Sequence, residues 1–156
     1  PVPLAQVVAV AVRSASGKAQ AANVRIVPQI PRDLSVAYID QVRIGEVFEE
    51  LLENAIKFSP NADKIDVVID DPGGPMLHVK VQDYGIGIPT DEQEKIFRRF
   101  YQVDSGTTRR FGGTGLGLAI VRQVIEGHNG RVWIESEPGQ GCAVHMLLPK
   151  AGKGLD

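Results

Sequence analysis

"KIDVVIDDPGGPMLHVKVQD", residues 64–83, sets two apolar, β-branched runs on either side of Asp71-Pro72-Gly73-Gly74. Four consecutive turn formers between such runs predict an antiparallel hairpin. In the second run Val79 and Val81 alternate with Lys80 and Gln82 up to Asp83, the period of a strand with one buried face. Upstream, Asp40 reads as the N-cap of a helix over 41–58. Its Ile44, Val47, Phe48, Leu51, Leu52 and Ala55 recur at helical spacing, and Ser59-Pro60-Asn61 stops it. Downstream, "RVWIESE" and "GCAVHMLLP" predict a second hairpin around Pro138-Gly139.

The remaining elements follow from the same rules. Residues from Leu4 to about Ala22 predict a helix, and "VRIVPQI" (24–30) and "SVAYI" (35–39) predict strands joined by a turn at Pro31–Asp33. "TDEQEKIFRRF" predicts a short helix capped by Thr90, and another helix is expected from about Gly117 to Glu126. Helices and strands are grouped rather than strictly alternating. The expected fold is therefore an α/β (α+β) two-layer sandwich, with a mixed, mainly antiparallel sheet and helices on one face.

At 156 residues the chain is expected to be one domain over 1–150 with a short polar tail, 151–156. A net charge of −2 argues against a nucleic-acid partner, which calls for a basic surplus. A single cysteine, Cys142, excludes an internal disulfide framework and fits a reducing compartment. The apolar run Val7–Val12 is far short of the ~20 residues that span a bilayer, so no membrane contact by this chain is expected.

Three stretches carry candidate chemistry. Glu50, Asn54 and Lys57 lie i, i+4, i+7 on the helix stripe opposite the core face. Most such stripes are solvated Glu-to-Lys ladders, but Asn54 is a poor mid-helix residue unless its amide does something. A glutamate, an amide oxygen and a lysine in line would suit Mg²⁺ with phosphate oxygens. "VQDYGIGIP" ends a strand at Asp83 and then breaks at Gly85 and Gly87. The bland reading is an ordinary turn. The functional one is a carboxylate beside bare backbone, able to accept from the amine of a flat ring such as adenine. Residues 101–116 have no periodicity. They carry Arg109 and Arg110 after Arg98 and Arg99, and lead through "GGTGLGLAI" into a helix. The glycines match neither the dinucleotide fingerprint nor the P-loop, because Leu118 and Ala119 stand where those patterns need Gly, or Lys and Ser/Thr. A lid laying N–H groups over a phosphate chain fits better.

"ELLENAIKF", "DYGIGIP", "IFRRFYQVD", "GGTGLGLAI" and "EPGQGC", in that order, resemble the N, G1, F, G2 and G3 boxes of the ATP-binding catalytic domain of two-component sensor histidine kinases, in the GHKL superfamily. The resemblance covers about Leu4 to Pro149 and implies a Bergerat-type ATP-binding fold with a mobile lid. It also implies roles by position. Asn54 would coordinate Mg²⁺, with Glu50 as a possible second ligand, and Lys57 would reach the phosphates. Phe58 would pack near the nucleoside, and Asp83 would bind the adenine amine, with Gly85, Gly87 and Ile88 around it. Arg98 and Arg99 would contact phosphate, and Gly113, Thr114, Gly115, Leu116, Gly117 and Leu118 would form the lid and its hinge.

The resemblance further implies a kinase half that needs its own dimerisation and His-phosphoacceptor domain, with a response regulator downstream. The three histidines here do not fit an acceptor box: His78 and His145 lie in expected strands and His128 in the turn "EGHNG". The acceptor hairpin and sensor are therefore expected outside this chain, the fragment is expected to be monomeric, and the location cytoplasmic whether or not the full-length kinase is membrane-anchored. Two positions depart from the family pattern. Glu50 stands where many members have Asn, as in gyrase-type ATPases, and Gln102 where many have Arg. Glu50 keeps open a second reading, an ATPase switch that hydrolyses ATP with Glu50 as base. A degenerate sensor that only binds nucleotide is disfavoured by the intact Asn54, Asp83 and G2 glycines.

Overall fold

Asp40 starts the central helix, α2 (Gln41–Lys57): its Oδ1 accepts the N–H groups of Val42 and Arg43, each at 3.1 Å. The helix buries Ile44, Val47, Phe48, Leu51, Leu52 and Ala55, the apolar set its spacing predicts. Ahead of it, α1 (Leu4–Ala21) buries Leu4, Val7, Val8, Ala11, Ala15 and Ala19 and packs along α2. α1 ends at Asn23, which takes the left-handed conformation (φ 58°) that stops a helix, and Asn129 (φ 60°) follows α3 (Gly117–Gly127) in the same way. The computed structural model describes residues 1–57, 63–85, 117–137 and 139–151. The expected helix after Thr90, the 101–116 loop, the stop at Ser59-Pro60-Asn61, Pro138 and residues 152–156 lie outside them.

Five strands make one open sheet in the order β1 (Arg25–Gln29), β2 (Lys64–Asp70), β3 (Met76–Asp83), β5 (Gly141–Pro149), β4 (Arg131–Glu137). Only β1 and β2 are parallel, as the crossover through α2 requires; the other pairs are antiparallel. At the β2–β3 turn Gly73 (φ +93°) donates its N–H to Asp71 Oδ1. Ile65, Val67 and Ile69 of β2, Leu77, Val79 and Val81 of β3, and Met146 and Leu148 of β5 share the face that α2 and α3 cover. Phe48, Leu52 and Ile125 meet that face with almost no exposure, each contributing about 1.5–3 kcal/mol of burial. The opposite face carries Asp66, Asp70, His78, Lys80, Gln82 and His145.

The expected strand at 35–39 does not form. Ala37 alone is bridged, to Val2 on one side and Lys150 on the other, and flanking hydrogen bonds join Tyr38 to Pro149 and Ala151 to Val36. Each partner meets the segment at a single bridge, and the alternation of "SVAYI" serves one fully buried alanine. Among the described residues no helix is long and apolar enough to cross a membrane.

Candidate functional site

Glu50, Asn54 and Lys57 are half-buried along one stripe of α2, so the stripe is not simply a solvated ladder. Burial pushes the Glu50 carboxyl above the ordinary glutamate value. The neighbouring Glu53 pushes the same way, against the opposing pull of Lys57 and Lys18. Lys18 of α1 pairs with Glu53, and that hydrogen bond holds the Glu53 carboxyl below its usual value. Two carboxylates and two ammonium groups therefore share the α1–α2 seam. Among the described residues neither the Asn54 amide nor the Lys57 ammonium has a hydrogen-bond partner.

Asp83 closes β3 on the helix-covered side of the sheet and is only 6% exposed. Its Oδ1 accepts two N–H groups, from Gly85 in the turn and Cys142 on β5, each at 3.1 Å. Desolvation raises its pKa to about 6, and the two N–H donors oppose that rise. Among the described residues nothing hydrogen-bonds Oδ2. Such a carboxylate, with one oxygen fixed and the other uncommitted among the described residues, can accept a further N–H group.

What holds Asp83 there is a residue whose role the sequence reading did not identify. Gly141 (φ +90°) opens β5 directly under the Asp83–Tyr84 peptide, and a Cβ on it would sit 2.2 Å from the Asp83 carbonyl oxygen. Only glycine lets the two backbones approach this closely and carries that φ without strain. Ser136 Oγ donates to the Gly141 carbonyl at 2.8 Å, and Cys142 beyond it supplies the N–H to Asp83. The signal was present in "EPGQGC", where a glycine opens the strand paired with the one ending in Asp83.

The other candidates divide as follows. Gly85 lies in the turn next to Asp83, Gly117 opens α3, and Leu118, the second residue of that helix, packs against the core. Phe58, Gly87, Ile88, Arg98, Arg99, Gln102, Gly113, Thr114, Gly115 and Leu116 lie outside the described residues. α2 contacts both β3 and α3, so the elements bearing Asn54, Asp83 and Gly117 pack on one another. His128 is structural: Nδ1 lies 2.8 Å from the Val124 carbonyl, and Nε2 accepts the N–H of Asp40, tying α3 to the cap of α2.

Comparison with known proteins shows the family and the fold. Residues 39–152 match the family model described as histidine kinase-, DNA gyrase B- and HSP90-like ATPase. The chain is 41% identical over 129 residues to the sensor histidine kinase WalK of Bacillus subtilis (strain 168), covering 81% of this chain and 21% of that protein. It is 38% identical over 130 residues to the sensor protein kinase WalK of Staphylococcus epidermidis, covering 83% and 21%. The chain thus spans about a fifth of the length of these curated relatives. The nucleotide-free catalytic domain of the histidine kinase ThkA superposes with a TM-score of 0.79 at 29% identity, covering 94% of each chain. Full-length ShkA in complex with AMPPNP does so with a TM-score of 0.85 at 25% identity, covering 97% of this chain and 31% of that one.

Proposed function

This chain belongs to the family of histidine kinase-, DNA gyrase B- and HSP90-like ATPases, and on that premise we propose that it is the ATP-loading half of a sensor histidine kinase. It binds Mg-ATP and presents the γ-phosphoryl group to a histidine on its dimerisation and phosphoacceptor domain, and a response regulator then receives the phosphoryl group. The observation that carries the reading is Asp83: a buried carboxylate with Oδ1 fixed by Gly85 and Cys142, placed to accept the adenine amine. The kinase names of the relatives favour this over an ATPase switch. We place the domain in the cytoplasm, where its nucleotide is, and take it to be monomeric alone.

The residues present fit Mg²⁺. The ion takes one or two protein oxygens and completes its shell with phosphate and water, so it needs no dedicated cage. Among the described residues no such cage of three His, Cys, Asp or Glu exists, while the Asn54 amide oxygen is uncommitted. Asn54, with Glu50 beside it, would hold the ion, which when bound offsets phosphate charge. Lys57 neutralises phosphate oxygens from one turn further along α2. Glu50, its pKa raised by burial, aligns the incoming imidazole and takes its proton. Catalysis on this reading is positioning and charge neutralisation. The lid and phosphate contacts belong to Arg98, Arg99, Gly113, Thr114, Gly115, Leu116 and Gly117, with Phe58 and Ile88 lining the nucleoside.

The test supplies γ-labelled Mg-ATP to this chain with and without the phosphoacceptor domain of its own kinase. Label on a histidine of that domain, with little free phosphate, is expected. Phosphate released at one rate in both mixtures, with no labelled protein, would make the chain an ATPase and overturn the proposal. A Glu50→Ala variant with wild-type phosphotransfer would remove Glu50 from the mechanism.

A further inference from the structure

Strand alternation sends Asp83 to the helix side and the next residue, Tyr84, out across the open face of the sheet. There the Tyr84 hydroxyl donates to Asp66 Oδ2 at 2.5 Å. Asp66 is buried, and β1 and β2 hold it in place: Gln29 Nε2 donates to its Oδ1 at 3.3 Å, and Lys64 Nζ lies 3.5 Å from Oδ2 and 5.5 Å from the Tyr84 ring centroid. Tyr84 itself is 46% exposed, so core burial does not anchor it; the polar tether does. The Asp66 carboxylate pushes the Tyr84 hydroxyl up to about 12, so it remains a donor at neutral pH.

We propose that Tyr84 and Asp66 are a positioning pair that sets nucleotide-base selectivity from the far side of the sheet. The inference rests on the reading of Asp83 as the adenine acceptor and adds what fixes that acceptor. On the β5 side, the Gly141 backbone lies directly against the Asp83–Tyr84 peptide, an approach that a Cβ, 2.7 Å from Tyr84 Cα, would forbid, and the Asp83–Cys142 strand pairing holds that side. On the β2 side, the tether to Asp66 prevents the opposite movement. Between these stops, the two 3.1 Å bonds to Asp83 Oδ1 are long enough to be lost on a small rotation of the turn. A carboxylate held in place accepts from the amine of adenine but meets an oxygen at the same position in guanine. The ratio of ATP to GTP affinity therefore reads how well the turn is held.

The experiment compares wild type, Tyr84→Phe and Asp66→Asn by calorimetric titration with Mg-ATP and Mg-GTP. Thermal midpoints and amide exchange at Gly85 and Cys142 are measured alongside. Tyr84→Phe removes one oxygen at a half-exposed ring and leaves no cavity. It is expected to lower the ATP-to-GTP affinity ratio by about three- to tenfold, the worth of a positioned hydrogen bond. The Gly85 and Cys142 amides should exchange faster with the midpoint nearly unchanged. Asp66→Asn keeps a side-chain oxygen for Tyr84 and is expected to retain most of the ratio. An unchanged ratio in Tyr84→Phe, or a lowered midpoint with ratio and exchange unaffected, would overturn the positioning role. Failure of the wild type to prefer ATP would overturn the reading of Asp83 itself, and the exchange rates would still separate that result from a failed tether.

Discussion

Asp83 and His145 are both more than nine-tenths buried and sit on opposite faces of the same sheet. Burial favours the neutral form of each, raising the Asp83 carboxyl to about 6 and lowering the His145 imidazole below its ordinary value. Their surroundings differ. His145 is covered by rings: it lies 5.1 Å from Trp133 at 5° and 5.1 Å from His78 at 25°. Its Nδ1 is 2.8 Å from His78 Nε2, and His78 Nδ1 in turn is 2.7 Å from Asp70, while among the described residues Nε2 of His145 has no hydrogen bond and Glu135 stands 3.7 Å away. Lys80 beside it also holds the imidazole down. Asp83 has glycine-bearing backbone next to it instead. An incomplete polar group covered by aromatic rings is packed structure; the same incompleteness beside bare backbone leaves room for a ligand.

The largest effect that would break this contrast is expected from Gly141→Ala. The added Cβ meets backbone rather than a flexible side chain, and φ is +90°. A loss on the order of 3 kcal/mol or more in denaturant unfolding is expected, with nucleotide binding abolished. Gly73→Ala, at φ +93° with open space around it, should cost only about 1 kcal/mol. Equal losses would mean that the close approach at Asp83 is not what Gly141 serves.

Asp83→Asn comes next and should move stability and binding in opposite directions. A carboxyl raised from 3.8 to about 6 binds protons more tightly when folded, so its contribution is full below pH 4 and lost as pH rises through 6. The variant should gain on the order of 2–3 kcal/mol at pH 8, gain nothing at pH 4, and bind ATP at least about tenfold more weakly. A variant less stable at pH 8 would show that the carboxylate is fully compensated.

His145 has the opposite sign. Its lowered pKa makes the unfolded chain the stronger proton binder, so stability falls as pH drops below about 6.5. His145→Phe should flatten that acid limb, and emission from Trp133, the single tryptophan, should lose its pH dependence. An unchanged acid limb would remove His145 from the titration. The smallest effect belongs to Lys18→Ala: a loss below about 1 kcal/mol that disappears in high salt, because the Lys18–Glu53 pair is largely exposed.

Elements with a repeating signal were legible in the sequence. The spacing from Ile44 to Ala55, the Asp40 cap and both hairpins are each declared by neighbours within a few residues. Ala37 was misread because its partners, Val2 and Lys150, are remote in sequence and single. The same limit applied at the site. Asp83 was legible as a carboxylate before glycines, but the Cys142 N–H, the Gly141 contact and the Asp66 tether depend on which strands pair, which no local pattern states. His78 and His145 read correctly as strand residues, while their contact across β3 and β5 did not show.

Ala37 has one more consequence. Bridged to Val2 and to Lys150, it makes the two ends of the described chain neighbours, roughly 10 Å apart on either side of one residue. Cys142, which donates to Asp83, is the second residue of β5, which ends at Pro149 just before Lys150, roughly 27 Å away. The residues that bridge Ala37 and those that fix Asp83 thus stand at opposite ends of one strand. A circular permutant with its ends joined and opened at the β2–β3 turn should keep both the Ala37 bridges and the Cys142 hydrogen bond to Asp83.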